Sequence, residues 1–391
     1  MSAAARSEAA DDDEHRRKEE KPQADLEEAC RVARELFNLT EATSAKQLES
    51  YDDKNFCLRG RLRGGEPAQY TLKLHNGVES VNVPAMEAQN AIMLHLEAQG
   101  FCVPAPRADA AGAHIAFTEL SMRGTLPPRR HAARLLAWVG GLPMNEAKTI
   151  ELATLRAAGV YLGRMTAALA DFDHVGAHRV HIWDLQNTLL TRGFLHAITD
   201  AERKATIEGV MVGFETLVVP RLAELRWGVL QADFNDANII LDRDAADAAI
   251  VGVIDFGDMV YSMRVNEVAI AMAYAMVSTV AKRAVAVGRP QGVAECAFAL
   301  LEGFCARETE GEGEGEAVLT AAELEVLPTL VACRLAISVT MGAYSYSKEP
   351  ENKYLLVHAQ PGWDAIGLWT SSDPAELVAR AKAAAGVSKS S

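Results

Sequence analysis

A chain of 391 residues with 49% hydrophobic content is long enough to bury a large core, as two or three domains or as one enzyme with two lobes. Its formal net charge of −14 argues against a general nucleic-acid binder and against a surface drawn to anionic lipid. A small anionic ligand held in one locally basic cleft remains compatible with that balance. Cys30, Cys57, Cys102, Cys296, Cys305 and Cys333 are scattered and form no CxxC pair, which disfavours zinc and fits buried thiols in a reducing, cytoplasmic compartment.

The opening stretch, MSAAARSEAADDDEHRRKEEKPQ, has no apolar h-region, and its acid run fits a mitochondrial presequence poorly. Residues 1–22 read as a solvated, disordered tail. Apolar spacing over Gln23–Thr40 predicts a helix, and alternation over Asn55–Leu62 and Gln69–Asn76, with RGGEP between, predicts a hairpin. A second helix follows over Val83–Gly100, stopped by glycine. HIAFTEL and AARLLAWVGG read as two more strands. From Glu146 the pattern changes to long helices, interrupted near Val229 and Val251 by two short apolar strands and resumed from Glu267. No apolar run reaches the roughly 18 residues of a spanning helix. The Gly/Glu-rich stretch 307–317 reads as a solvated, flexible insertion. The expected fold class is α+β: a small β-rich N-terminal lobe over 23–140 and a larger, mostly helical C-terminal lobe over 141–380.

The two short strands carry the chemistry. VLQADFNDANIILDRD places Asp233 and Asn238 five residues apart, and VGVIDFGD ends on Asp255 followed by Phe and Gly. Acids at the ends of apolar strands are costly unless metal or phosphate neutralises them. Phosphoryl transfer asks for this set: one carboxylate to take the hydroxyl proton, Asp233, and an amide oxygen and an acid to hold Mg²⁺, Asn238 and Asp255. The turn through Asp242–Asp247 would bring Asp255 beside the loop. Such an enzyme also needs a strand lysine for the α/β-phosphates and a helix glutamate to orient it. Lys73 and Glu87 fit in order and element. A glycine-rich phosphate loop is missing. In its place stands ESYDDKNFCL, where Ser50, Asp52, Asp53, Lys54 and Asn55 offer backbone N–H groups and an ammonium, or form a plain polar turn. Gln231 stands where such enzymes usually carry a structural histidine.

These motifs resemble the signature of the aminoglycoside-phosphotransferase and choline-kinase-like enzymes. Within that superfamily SYDDKNF, EAQNAIM, ARLLAWVGGLPM, HIWDLQN, DFNDANI, IDFGDMVYSMRVNEVAIAMAYAM and ENKYLLVHAQPGW resemble, in order, segments of the 5-hydroxylysine kinases. The resemblance implies a protein-kinase-like two-lobed fold, SYDDxNF in place of the glycine loop, Mg²⁺, GTP (or ATP) as phosphoryl donor, and the hydroxyl of 5-hydroxy-L-lysine as acceptor. It implies a nucleotide and a small amino acid as partners, with no nucleic acid and no membrane. Carried over by position, Asp233 is the base, Asn238 and Asp255 are metal ligands, and Lys73, Glu87, Lys54 and Asn55 serve the nucleotide. For the acceptor, Asp258, Tyr261 and Glu267 suit its ammonium groups and Arg264 its carboxylate, with Tyr344, Tyr346 and Trp363 as further aromatic candidates. Packing or a solvated charge is the alternative for each. The competing functions are a related kinase of another small alcohol (homoserine, methylthioribose or an aminoglycoside) and a non-catalytic nucleotide-binding scaffold.

Overall fold

Between Thr40 and Leu74 three antiparallel strands form, the second and third from alternating sequence, and in the third Tyr70, Leu72 and Leu74 turn inward while Lys73 takes the other face. The computed structural model describes residues 12, 15–17, 19–50, 52–122, 127–243, 249–283, 292–306, 318–348 and 359–387. The stretch 307–317, read as a flexible insertion, lies outside them. The described residues divide into two units, one within Glu8–Gly140 with His174–Arg179, the other within Gly141–Asp173 and Val180–Ser391.

The first unit runs β1 (Pro22–Gln23), α1 (Leu26–Phe37), β2 (Thr40–Leu48), β3 (Lys54–Arg61), β4 (Ala68–Leu74), α2 (Gly77–Val81), α3 (Val83–Ala98), β5 (Pro106–Arg107), β6 (Ala116–Met122) and β7 (Arg129–Ala137). The strands form one antiparallel sheet in the order β1-β6-β7-β4-β3-β2, with β5 on β7. Strand β2 is absent from the sequence-based expectation, because TEATSAKQL lacks apolar alternation; β3 recruits it across the turn at 49–53. Asp25 caps α1 by accepting Glu28 N–H, and Asn38 ends it at φ 52. The buried face of α1, including Val32, Ala33 and Phe37, closes over Phe56, Leu58, Leu72 and Leu135 of the sheet to make the core.

The start of the chain is tied down near the sheet. Pro22 and Gln23 pair with Met122 and Ser121, Glu20 is buried, and Arg17 reaches Glu79 at 2.5 Å. The segment read as a solvated tail is thus held at its C-terminal end.

The second unit comprises β8 (Leu142–Pro143), α4 (Leu152–Ala168), a kinked run of 3-10 turns over Leu185–Ala197, α5 (Ala201–Gly213), β9 (Trp227–Leu230), β10 (Ile239–Leu241), β11 (Ile250–Val253), β12 (Val260–Met263), α6 (Val265–Arg283), α7 (Gly292–Cys305), α8 (Ala321–Lys348), α9 (Ala359–Thr370) and α10 (Pro374–Ala384). The two acid-tipped strands do not pair with each other. β9 pairs with β12, and β11 pairs with β10, which also holds β8. The expected turn is present, with Asp242 N–H on Ala249 O at 2.8 Å, and its tip at 244–248 lies outside the described residues. Helix α6 is buried on every side from Val268 to Val277 apart from Tyr274, as an apolar core helix must be. Helix α8 has the length and mean hydropathy (1.6) to cross a membrane, which no run was expected to have; 78% of that window is buried inside the protein. All six cysteines are free thiols.

Candidate active site

After β9 the chain turns sharply. Ala232 adopts φ 64, a left-handed conformation that costs a non-glycine residue energy and is held where the surroundings enforce it. Two side chains do so. Glu267, in the first turn of α6, accepts Ala232 N–H at 3.3 Å, and the buried Gln231 accepts Asp233 N–H at 2.9 Å. Gln231 Nε2 donates to Asp255 O at 2.5 Å, so this glutamine ties the Asp233 loop to the Asp255 loop. Asn235 then closes an Asx turn, its Oδ1 accepting Ala237 and Asn238 N–H. The chain re-enters β10, and Asn238 O accepts Ile254 N–H at 2.9 Å, which sets Asp255 one residue from Asn238's partner. Asp255 also lies at positive φ, 55, with its Oδ1 accepting Gly257 N–H.

Asp233 is clamped at both oxygens. Asn238 Nδ2 donates to Oδ2 at 2.8 Å, and Arg334 Nη2 donates to Oδ1 at 2.8 Å. Arg334 comes from the middle of α8 with 1% of its side chain exposed. Its other contacts are Trp183 O at 2.9 Å and the rings of Trp183 and Tyr274, each 5.1 Å away. Burial pushes the Asp233 carboxyl up to about 8, helped by the like charges of Asp258 and Asp255 and opposed by Arg334. Sequence inspection passed over Arg334. The available signal was a lone cation inside the apolar run TLVACRLAISV, where a helix buried on all sides has to pair it.

Of the residues expected to meet the acceptor, only Asp258 stays with Asp233. It is a quarter exposed, with His181 Nε2 3.8 Å from its Oδ1. Glu267 is 2% exposed and serves the Ala232 turn, so it does not face a ligand ammonium. Arg264 donates to the backbone carbonyls of Trp227 and Ala170, which places it as a strut and not as a carboxylate receptor. Tyr261 stacks on Trp227 with centroids 6.2 Å apart. Tyr344 is buried edge-on to Phe194, and Trp363 lies under the Arg203 guanidinium. Tyr346 is half-buried.

In the first unit, the register sets Asn55, Lys73 and Arg134 side by side across β3, β4 and β7. Lys73 Nζ lies 3.3 Å from Asp53 Oδ2. Asp53 is itself fixed by Asn76, whose backbone N–H and Nδ2 donate to Oδ1 at 2.9 and 3.0 Å. His75 lies 3.5 Å from the same carboxylate; burial and the charges of Arg134 and Lys73 keep it neutral. Glu87, expected to orient Lys73, sits on the exposed face of α3 and forms no ion pair among the described residues. The loop acid takes that contact instead. Lys54 reaches Gln47 at 3.5 Å, and Asn55 keeps a buried Oδ1 with no partner among the described residues.

A sequence profile of the phosphotransferase enzyme family matches residues 44–300, a span that includes Lys73, Asp233, Asn238 and Asp255. The chain belongs to the phosphotransferase enzyme family. This phosphotransferase is similar along most of its length to hydroxylysine kinases. The Mus musculus enzyme is 28% identical over 356 residues, covering 88% of each chain. That of Xenopus laevis is 27% identical over 357 residues, covering 88% of this chain and 89% of its own. Among solved structures, a microcompartment-associated aminopropanol kinase matches with a TM-score of 0.63 at 15% identity, covering 87% of this chain and 95% of its own. An amicoumacin kinase in complex with AMP-PNP and Ca²⁺ matches with a TM-score of 0.59 at 16% identity, covering 90% and 97%. A choline kinase from Cryptosporidium parvum gives 0.54 at 11%, covering 88% and 95%. At such identities the likeness is one of fold: the protein-kinase-like, two-lobed α+β fold. The phosphotransferase is a small-molecule kinase with a hydroxyl acceptor.

The donor set fits a hard cation. Asn238 spends its NH₂ on Asp233, at 2.9 Å from the backbone O and 2.8 Å from Oδ2, which leaves its amide oxygen as an acceptor. An amide oxygen and a carboxylate suit Mg²⁺. A metal held by Asn238 and Asp255 would neutralise charge on the nucleotide phosphates.

Proposed function

We propose that this phosphotransferase transfers the terminal phosphoryl group of GTP to the side-chain hydroxyl of 5-hydroxy-L-lysine. The observation that carries this reading is similarity along most of the chain to enzymes named hydroxylysine kinase, with 88% of this chain aligned to 88% of the Mus musculus protein. Partial domain sharing would not produce such coverage.

The residues have a matching division of labour. The acceptor oxygen attacks the terminal phosphorus in line, the bond to the β–γ bridging oxygen breaks, and GDP leaves. The proton of the hydroxyl passes to the Asp233 carboxylate, whose position is fixed by Arg334 and Asn238. Lys73 holds phosphate oxygens from β4. Asp258, beside Asp233, offers a carboxylate to a substrate ammonium. Free thiols support a cytoplasmic setting for the reaction.

The test is a panel of acceptors with purified protein, Mg²⁺ and either GTP or ATP. Both hydroxylysine epimers, lysine, homoserine and an aminoglycoside are compared by ³¹P NMR and mass spectrometry. The expected result is O-phosphohydroxylysine, formed faster with GTP. Phosphorylation of another alcohol with none on hydroxylysine would keep the kinase and discard the substrate.

A further inference from the structure

The segment before β1 makes more contacts than a tail requires, and they converge on one place. Glu20 is 8% exposed and pairs with Arg129 at 2.5 Å and Arg16 at 3.2 Å. Its carbonyl accepts Gly77 N–H at 3.0 Å. A Cβ at Gly77 would stand 2.1 Å from Glu20 Oε2, so the close approach demands glycine there. Two residues along α2, Arg17 binds Glu79, whose side chain is 12% exposed, at 2.5 Å. Separately, Lys21 Nζ donates to Ser50 O at 3.2 Å.

Both grips lead to Asp53. Helix α2, held at Gly77 and Glu79, is capped by Asn76, which donates twice to the Asp53 carboxylate. Ser50, held by Lys21, accepts Asp53 N–H on its hydroxyl at 3.1 Å. Asp53 in turn holds Lys73. A turn that lacks glycines and must present a lysine to phosphate gains order from such external ties, because a preorganised cation does not lose conformational freedom on binding.

We propose that residues 16–17 and 19–23 act as a strap that positions Lys73 for nucleotide, through Asn76 and Ser50 on Asp53. The strap touches no substrate; Arg17 and Lys21 are positioning residues. The proposal rests on the reading of Lys73 as a phosphate ligand, and the experiment separates the two.

Full-length R17M, K21M, K21R, D53N and K73M variants are compared for binding of a fluorescent GTP analogue with Mg²⁺, for KM of the nucleotide and acceptor, and for Tm. K21M and R17M are expected to weaken analogue binding roughly fivefold each, within the range of coupled contacts. The KM of the acceptor should not move, and K21R should restore affinity. In a D53N background, K21M should add no further loss. Analogue binding unchanged in folded K21M and R17M, while K73M weakens it, would overturn the strap. Analogue binding unchanged in K73M would overturn the role of Lys73 itself. Losses in K21M that persist undiminished on D53N would show that the strap does not act through Asp53 and would also overturn the proposal.

Discussion

Arg334 and Asp233, 101 residues apart, form a buried ion pair at 2.8 Å in which the cation is almost wholly enclosed and the carboxylate is a fifth exposed. Such a pair is costly to break, because the remaining charge is left without compensation; loss of one partner typically costs roughly 3–5 kcal/mol. Arg334→Met should therefore lower both stability and kcat. Arg334 opposes the rise in the Asp233 pKa, so its removal should move the pH at which kcat/KM increases to a higher value. Arg334→Lys should recover part of the effect, since the ammonium reaches one partner but not Asp233 and Trp183 O together. An unshifted pH profile in a folded Met variant would count against this assignment.

Asp233 and Asp255 should separate chemistry from metal binding. Asp233→Asn should lower kcat by roughly 10²–10⁴, the range for loss of a general base, with nucleotide affinity little changed. Asp255→Ala should instead abolish the Mg²⁺ dependence of nucleotide binding, followed by titrating Mg²⁺ against a fluorescent nucleotide. Turnover retained by Asp233→Asn at saturating substrate would remove it from the base role.

Lys73 should couple to Asp53 and not to Glu87. In double-mutant cycles on nucleotide affinity, Lys73→Met with Asp53→Asn should show an interaction of roughly 0.5–3 kcal/mol, the usual value for residues in contact. Lys73→Met with Glu87→Ala should be additive, because Glu87 is exposed and forms no ion pair among the described residues. Coupling to Glu87 in the nucleotide complex would show that α3 takes over the lysine on binding.

Asp258 should act on the acceptor alone. Asp258→Asn should raise KM for hydroxylysine more than for GTP, the pattern of lost ground-state binding. Lysine, which lacks the nucleophilic hydroxyl, should bind and inhibit competitively without accepting phosphate. Equal changes in both KM values would assign Asp258 to the loop and not to the substrate.

Glu267 should give stability a definite pH dependence. Burial raises its pKa to about 7, against the hydrogen bonds from Ala232 and Gln231 that favour its charged form. A carboxyl whose folded pKa exceeds the unfolded value of 4.5 stabilises fully below that value, and the contribution is lost as pH rises toward 7. Glu267→Gln removes the titration. The difference in Tm between variant and wild type should therefore change across this window, in favour of the variant at the higher pH. A constant difference from pH 4.5 to pH 7 would show that Glu267 does not titrate there.

The local contacts of the candidate site were legible in the residues because they lie close along the chain. Asp233 and Asn238 belong to one tight loop, and a hairpin of fixed register brings in Asp255; spacing along the chain is enough to specify contacts of that kind. The α1 and α3 helices and strands β3, β4, β6 and β7 announce themselves by periodicity for the same reason. Strand β2 did not, since an edge strand of polar sequence exists through the hydrogen bonds of its neighbour.

What only the tertiary structure decided depends on charges meeting across long separations. Arg334 finds Asp233 from a helix with no local signal of a partner, Lys73 goes to the loop acid Asp53 although Glu87 has the more familiar position, and Arg17 leaves the apparent tail for Glu79. Glu267 and Arg264 look from sequence like ligands for a charged substrate. Folding directs them instead to Ala232 N–H and to the carbonyls of Trp227 and Ala170. The reason is common to all of these. A charge carries no directional pattern along the chain, and its partner is set by which opposite charge or unsatisfied backbone group the packed core leaves within reach.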